Sequence, residues 1–172
     1  MLGVPKHGVI LVKHNNDWEN EFEKTKQILL DIHKDNVVDI QHVGSTSIKG
    51  IMAKPMLDIA ILLKNLIDFS FSSMASNGYE YFDEVASGHH LFVLRGDGGI
   101  SLQHIHCYSE KNSVEFLSQV KFRDFIRSNA EYAKEYELLK LKLYKLYPND
   151  RNKYTEGKQE FFDKIKLLTD KN

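Results

Sequence analysis

The chain has 172 residues, of which 42% are apolar and 27% are charged, and its formal net charge at pH 7 is −1. This length and composition are typical of one globular domain with its own core, and they exclude an intrinsically disordered protein. A net charge so close to zero gives no general attraction to nucleic acid, so we expect no nucleic-acid partner.

The sequence lacks the residues for a disulfide or a cysteine-based metal site, and it lacks a membrane-spanning segment. Cys107 is the single cysteine, so neither an intrachain disulfide nor a cysteine-based zinc site can form. No stretch reaches the roughly 18 apolar residues of a membrane span, and residues 1–7 contain no apolar run of signal-peptide length. We therefore expect a cytoplasmic protein without a membrane partner, whose oligomeric state does not follow from the sequence.

The first elements are expected to be a strand, a helix and a second strand. A short apolar run at 8–12 predicts an edge strand. Asn16 and Glu19 have the spacing of a capping box, and apolar residues at helical spacing behind them predict an amphipathic helix over 17–34. The pattern then changes to the two-residue period of a strand at 37–43.

The middle of the chain contains the most apolar segment. Residues 48–53 are expected to form a short helical turn that Pro55 closes, because proline cannot donate a backbone hydrogen bond and restricts the preceding residue. Residues 56–63 are a nearly continuous apolar run, which is typical of a central strand covered on both faces. A short helix is predicted over 65–76.

Three strands and three helices complete the chain. The strands are expected at 79–82, 90–95 and 101–108, with a glycine-rich hairpin turn at 96–99. The helices are expected over 113–128, from Tyr132 to Pro148, and over 151–169. This order predicts an α+β fold in one domain, 1–172, with a mixed sheet at 1–110 and a C-terminal helical bundle at 111–172.

The turn after the second strand has the chemistry of a phosphate site. A strand that ends at Gly44 and opens into a helical turn leaves backbone N–H groups free, and the hydroxyls of Ser45, Thr46 and Ser47 add further donors. Gly44 allows a close approach of the backbone to a ligand, or a positive φ. The alternative is a tight turn with a helix cap. The motif is not a P-loop, because the Gly-x-x-x-x-Gly-Lys-Ser/Thr spacing is absent.

Asp58 is a single carboxylate inside the apolar run, where burial without a partner costs free energy. A metal ion, Lys54 or a group of backbone N–H donors would satisfy it. The strand that carries it can return beside Ser45, so Asp58 could hold a divalent cation on a phosphate. The alternative is an aspartate that only ends a hydrogen-bond network.

A second group of candidates is histidine. His104 and His106 are two residues apart on a predicted strand and therefore share a face. They can bind a metal, with His42 as a third nitrogen, or donate to a phosphate, or have a structural role. His89 and His90 lie on alternate faces, so at most one of them can join this group.

Basic residues of the C-terminal half give a weaker signal. Arg123 and Arg127 are four residues apart on one helix face, a spacing that suits phosphate recognition by two guanidinium groups. The alternative is a solvated face in which Asp124 is the partner. Lys140 and Lys158 carry the same ambiguity.

Together these stretches resemble the GrpB family, a branch of the nucleotidyltransferase superfamily, over about residues 18–161. The matching stretches are 42–47, 50, 53–59, 104–106 and 122–127, with further matches at Tyr136, Leu139, Lys140, Asp150, Arg151, Tyr154, Gly157 and Lys158. The resemblance implies a nucleotidyltransferase-like sheet with flanking helices. In that superfamily a Gly-Ser turn is followed by an Asp-x-Asp/Glu pair that holds metals and by a third carboxylate on a neighbouring strand.

This chain matches only part of that superfamily pattern. Gly44, Ser45 and Asp58 match, whereas Ala60 occupies the place of the second acid and His106 that of the third. The resemblance thus implies Asp58 as a metal ligand and catalytic group, Ser45 as a phosphate contact, and His104 or His106 as a ligand or base.

The sequence therefore predicts a nucleotidyltransferase-like protein that binds a nucleotide or another phosphorylated small molecule at 44–58. If active, it would transfer a nucleotidyl group to an unknown acceptor with Mg²⁺ or another divalent cation. One alternative is a non-catalytic nucleotide- or partner-binding module with a degenerate site, which Ala60 favours. Another is a hydrolase whose metal is bound by His42, His104 and His106.

Overall fold

The computed structural model describes residues 2–5 and 8–170. In chain order the strands are β1 (Val37–Val43), β2 (Leu57–Leu63), β3 (Tyr79–Ala86), β4 (His89–Arg95) and β5 (Ser101–Ser109). The helices are α1 (Asp17–His33), α2 (Phe71–Ser76), α3 (Ser113–Ser128), α4 (Ala130–Leu146), α5 (Arg151–Glu156) and α6 (Gln159–Thr169). The α+β class, with a mixed sheet followed by helices, is confirmed. No helix within the described residues is long and apolar enough to cross a membrane.

The described strands form one sheet in the order β1-β2-β5-β4-β3. The apolar strand β2 therefore lies inside the sheet, as its sequence predicts. It pairs antiparallel with β1 and parallel with β5, in a register that sets Asp58 beside His104 and Ala60 beside His106. Because side chains alternate between the faces of a strand, these four residues share one face of the sheet.

The opposite face of the sheet carries the main apolar core. The side chains that alternate with Asp58 and His104 are Leu57, Ile59 and Ile105, and all three are fully buried beneath α1. Each apolar side chain buried in this way contributes roughly 1.5–3 kcal/mol. The core thus fixes the positions of the polar residues that β2 and β5 direct to the other side.

The C-terminal helices pack over the segment that joins β1 to β2. Ile48 and Ile51 of that segment are buried in a cluster with residues of α3, α4 and α6. Its backbone is also fixed, because the Met52 N–H donates to Glu137 Oε1 at 2.7 Å and the Met52 carbonyl accepts from Lys140 Nζ. The helical part therefore covers one side of the polar face of the sheet.

The predictions for the N-terminal segment were wrong in two places. Residues 8–12 form no strand, because their backbone bonds go elsewhere: Val9 N–H donates to the Pro148 carbonyl, and Val12 forms only an isolated bridge with Ala53. The capping box is also absent, because the side chain of Asn16 makes no cap bond. Asn15 Oδ1 instead accepts from the backbone N–H of the first helical residue at 2.9 Å.

Three helix boundaries also differ from the prediction. The turn expected at 48–53 lies at Ser45–Ser47, since the later residues leave the helical path to bury two isoleucines under the C-terminal helices. The helix expected over 65–76 begins only at Phe71, behind the Ser70 cap. The helix expected over 151–169 is divided into α5 and α6 at Gly157, where a Cβ would collide with the side chain of Leu143.

Candidate functional site

Gly44 and Asp58 are in direct contact at the end of β1. Val43, the last residue of β1, is the register partner of Asp58. Gly44 has a φ of +67°, and a Cβ at this position would lie 2.5 Å from Asp58 Oδ2 and 2.9 Å from Asp58 Cβ. The position therefore requires glycine for two reasons, its backbone conformation and the space that the carboxylate occupies.

The three hydroxyls after Gly44 have different partners. Thr46 Oγ1 lies 2.9 Å from His42 Nε2, and Ser47 Oγ donates to the Gly44 carbonyl at 2.6 Å. Ser45 Oγ lies 3.1 Å from a tyrosine hydroxyl of α4 and lines a cavity. Thr46 and Ser47 thus stabilise the turn, and Ser45 presents a hydroxyl to the space above it.

Asp58, His104 and His106 form the centre of the site. Asp58 Oδ1 lies 3.7 Å from His104 Nδ1 and 3.8 Å from His106 Nε2. Burial by itself raises the pKa of the Asp58 carboxyl, but the nearby His106, His104 and Lys54 outweigh it and hold that pKa well below its usual range. Burial lowers the pKa of His104 to about 4, so its neutral ring can offer a lone pair at pH 7.

These three residues have the geometry of a metal site. One ligand atom from each lies within 4.8 Å of the other two. Two imidazole nitrogens and one carboxylate oxygen suit a divalent transition-metal ion, whereas Mg²⁺ prefers ligands that are all oxygen. The donor set therefore fits a divalent cation, with a preference for an ion that accepts nitrogen.

His89 extends this group by one hydrogen bond. Its Nε2 lies 3.0 Å from His106 Nδ1, and its ring stacks on Tyr108 with centroids 4.3 Å apart. His90 instead contacts the Tyr81 hydroxyl at 3.1 Å. Of the two adjacent histidines, only His89 contacts the group around Asp58.

Three cations face Asp58 from the segment before β2 and from the end of the chain. They are Lys54, Arg151 and Lys158, and all three line the same cavity. None of the ion pairs within residues 2–5 and 8–170 includes any of them. Desolvation, with the other cations nearby, lowers the pKa of Lys54 to about 7 and that of Lys158 to about 8. Arg151 Nη2 lies 3.5 Å from His104 Nε2.

Two cavities meet at Asp58. The larger, of about 640 Å³, contains the three cations and extends across the sheet to Leu91 and Val93. The smaller, of about 440 Å³, lies between α3 and α6. The residues that line both are Gly44, Asp58, His106, Tyr136 and Phe162. A ligand in either cavity therefore reaches the same carboxylate.

Other side chains that were expected at the site are hydrogen-bonded to neighbouring protein groups instead. Arg123 donates to Gln41 Oε1 at 2.7 Å and to the His42 carbonyl at 2.9 Å. Neither Arg123 nor Arg127 lines the larger cavity. Arg127 donates to the Ser47 carbonyl at 2.7 Å. Arg123 thus holds the end of β1, and Arg127 holds the turn that follows it.

His42 and Lys140 are likewise directed away from the centre of the site. His42 stacks on Phe22 of α1 with centroids 5.2 Å apart. It is absent from the group formed by Asp58 and the two strand histidines, so the structure does not support it as a third metal nitrogen. Lys140 is buried and lies over the Tyr136 ring, 4.6 Å from its centroid, while its ammonium holds the loop before β2.

Comparisons with known proteins identify the family. The GrpB protein family model matches residues 8–167. The chain belongs to the GrpB family. It is 38% identical over 170 residues to the glutamate-rich protein GrpB of Alkalihalophilus pseudofirmus, which covers 96% of this chain and 98% of that relative. The UPF0157 protein YqkA of Bacillus subtilis is 31% identical over 159 residues, and this GrpB chain spans 46% of its length.

Solved structures place this GrpB chain in a wider fold group. The crystal structure of the conserved protein GrpB from Enterococcus faecalis has a TM-score of 0.85 at 30% identity, covering 93% of this chain and 96% of that one. The structure of Cid1 in complex with its short product ApU has a TM-score of 0.53 at 15% identity, covering 77% of this chain and 42% of that one. The second likeness shows the fold alone, which is nucleotidyltransferase-like.

The GrpB site departs from a carboxylate triad at the two positions that its sequence indicates. Ala60 is fully buried beside His106 and offers no oxygen ligand. One feature escaped prediction because it depends on tertiary contacts, the convergence of Arg151 and Lys158 with Lys54, about one hundred residues earlier in the chain. The contact between His89 and His106 shows which of the two adjacent histidines joins the group.

Proposed function

We propose that this GrpB chain binds a nucleotide, or a related polyphosphorylated small molecule, with one divalent cation in the larger cavity. The observation that carries the proposal is the charge of that cavity. Lys54, Arg151 and Lys158 surround Asp58 without carboxylate partners of their own in the described chain. Desolvated ammonium groups gain most from a ligand with several negative charges.

The phosphate chain is proposed to lie between the turn and these cations. Ser45 contributes a hydroxyl, and Gly44 brings the backbone of the turn against Asp58. Arg151 offers a planar fork of donors and the lysines act as point charges. Thr46, Ser47, Arg123 and Arg127 act indirectly in this proposal, by fixing the turn.

The cation is proposed to be held by Asp58, His104 and His106. When bound, it would neutralise phosphate charge and polarise the phosphoryl group. A ligand role for Nε2 of His106 uses the lone pair that a base would need, so the two roles exclude each other at that atom. The close approach of the three donors supports the ligand role.

Cation and phosphate are proposed to bind together. The three cations repel a free metal ion, whereas a polyphosphate carries enough negative charge to offset them. A chelate of metal and polyphosphate is therefore the species that this cavity suits. Asp58 is the one carboxylate among the residues that line the larger cavity, so it alone favours the ion before phosphate arrives.

The reaction proposed for this complex is nucleotidyl transfer. A hydroxyl of the acceptor would attack the α-phosphorus of the triphosphate and lose its proton to solvent, while the bond to the leaving pyrophosphate breaks. The smaller cavity gives an acceptor access to Asp58 from the side of α3 and α6. Apart from Asp58 and His106, which line both cavities, its ionisable lining residues are Asp163 and Lys166. Because their charges are opposite, the smaller cavity suits an acceptor of little net charge.

The direct test is calorimetric titration of nucleoside triphosphate with Mn²⁺ or Mg²⁺ into wild type and Asp58→Asn. We expect wild type to bind the chelate, with Mn²⁺ the more effective ion, and the variant to bind it at least tenfold more weakly. Lys49→Met, which removes an exposed lysine paired with Glu19, controls for general loss of positive charge. Equal weak binding by wild type and Asp58→Asn would contradict the role of Asp58.

A second candidate function is binding without turnover. The alanine at position 60 favours this candidate, because two-metal phosphoryl transfer relies on several carboxylates to position the ions and Ala60 supplies none. Binding of the chelate with no nucleotidyl product against a broad panel of acceptors would support this candidate. Release of pyrophosphate coupled to a labelled product would reject it.

A further inference from the structure

Phe82 of β3 is a large apolar side chain that is 60% exposed. The pairing of β3 with β4 shifts between Tyr81 and Asp83, which are opposite the consecutive residues Phe92 and Leu91. Phe82 is thus the extra residue of a β-bulge. Bulges are common beside active sites, and the exposure of this ring follows from the position of β3 at the edge of the sheet, where 80–86 are exposed.

Phe82 lies on the face of the sheet that carries Asp58, because it is two residues after Glu80, which pairs with Val93 on that face. Phe82 lines the larger cavity together with Leu91 and Val93 of β4. Tyr81, the residue before it, lies on the other face and contacts Phe92. Within residues 2–5 and 8–170 no aromatic ring pairs with Phe82, so its ring is free for a ligand.

The larger cavity therefore has a charged end and a mainly apolar end. Asp58 and the three cations around it lie at one end, and Leu91, Val93 and Phe82 follow on β4 and β3. Arg95 of β4 also lines the second end, where it is paired with Glu80 at 2.9 Å. Three strand spacings separate β2 from β3, a distance of about 14 Å. An extended nucleoside triphosphate spans such a distance with its phosphates at one end and its base at the other.

We propose that the ligand is a nucleotide whose base stacks on Phe82, with Leu91 and Val93 beside it. This inference rests on the proposed function, because it takes the phosphate chain to lie at Asp58. It narrows the ligand class from phosphorylated molecules in general to nucleotides. Stacking on an apolar wall uses the flat face that every base has, so the site discriminates little between bases.

The experiment compares two probes, ATP and inorganic tripolyphosphate, each titrated with Mn²⁺ into the full chain by calorimetry. The proteins are wild type, Phe82→Ala, Phe82→Trp and Val85→Ala. Val85 lies on the same strand, is 46% exposed and is absent from the lining of the larger cavity, so it is the matched control. Phe82 is exposed, so its replacement should leave folding intact, which circular dichroism checks.

We expect wild type to bind ATP at least tenfold more tightly than tripolyphosphate. Phe82→Ala should lose this preference and keep its tripolyphosphate affinity, while Phe82→Trp and Val85→Ala should keep both. Equal affinity of wild type for the two probes, or an unchanged preference in Phe82→Ala, would overturn base stacking and leave the phosphate site standing. Failure of wild type to bind either probe would overturn the proposed function and this inference with it.

Discussion

The carboxylate of Asp58 lies against the backbone of Gly44, at a point where no side chain has room. A Cβ on Gly44 would come within 2.5 Å of Asp58 Oδ2, and the φ of +67° disfavours any other residue. Gly50 has a similar φ of +84° but no atom within 4 Å of its Cβ position. The two glycines thus share the conformational requirement, and only Gly44 contacts the carboxylate.

Gly44→Ala should therefore lower the free energy of unfolding more than Gly50→Ala does. Each variant places alanine at a positive φ, which costs roughly 1–3 kcal/mol. Gly44→Ala must also displace Asp58, so we expect a larger loss in the free energy of unfolding and a loss of chelate binding that Gly50→Ala lacks. Urea denaturation and calorimetry measure the two effects. Equal losses in both assays would show that the contact with Asp58 is unimportant.

The fold was largely predictable because its main elements have local signals. The apolar run at β2 predicted the central strand, and the helical period behind Trp18 predicted α1. Residues 8–12 show the limit of such signals. They are apolar enough for a strand, but the backbone partner available to Val9 is the Pro148 carbonyl, which no local pattern reveals.

The candidate site was predictable where its residues are close in sequence. Gly44, Ser45 and Asp58 lie within one strand-turn-strand unit, and His104 and His106 share a strand face by alternation. Lys54 and Lys158 were candidates from the sequence, but their convergence with Arg151 was not predictable, because it depends on how the C-terminal helices pack on the sheet. The phosphate role expected for Arg123 and Arg127 stays a prediction, since their guanidinium groups donate to the backbone carbonyls of His42 and Ser47.

Anion binding should weaken as the pH rises from 7 to 9. The protonated lysine is the form that attracts phosphate, and burial lowers the pKa of Lys54 to about 7 and that of Lys158 to about 8. Both charges are largely present at about pH 6, and they are lost as the pH rises through 7 for Lys54 and 8 for Lys158, whereas ordinary lysines would stay charged. Calorimetry with tripolyphosphate across this range measures the effect.

The control for this pH dependence is the double variant Lys54→Arg/Lys158→Arg. Arginine stays protonated throughout the range, while the ionisation of tripolyphosphate is common to both proteins. The variant should show a flatter pH profile than wild type. Parallel profiles would show that the two lysines do not titrate in this range.

His89 is expected to determine which nitrogen His106 presents to Asp58. A metal on Nε2 of His106 requires the proton on Nδ1, and His89 Nε2 lies 3.0 Å away to accept it. His89→Phe should weaken Mn²⁺ binding in the presence of tripolyphosphate by about 10–100-fold. His90→Phe, which alters the neighbour that contacts Tyr81, should leave it unchanged. Equal affinities of the two variants would contradict this role.

Substitutions of Arg123 and Arg151 should have different effects, the first on the stability of the protein and the second on ligand binding. Arg123→Met removes donors from a buried carbonyl, which costs roughly 1–3 kcal/mol, so we expect lower stability and nearly unchanged tripolyphosphate affinity. Arg151→Met should show the reverse, with an affinity loss of about tenfold, since Arg151 lines the cavity. Thermal unfolding of both variants measures their stability, and calorimetry measures their affinity for tripolyphosphate. A large affinity loss in Arg123→Met would restore the phosphate role expected from its sequence.

Ala60→Asp tests whether the missing second acid can be replaced. Ala60 is fully buried on the face of Asp58 and is the register partner of His106. A carboxylate there lies near a like charge in an apolar cluster, so the metal-free variant should unfold at a lower temperature than wild type. A divalent cation shared by the two carboxylates would offset this loss. We therefore expect Mn²⁺ to raise the unfolding temperature of Ala60→Asp more than that of Ala60→Asn, which has the same size without the charge. The same response in both variants would show that position 60 does not reach the ion held by Asp58.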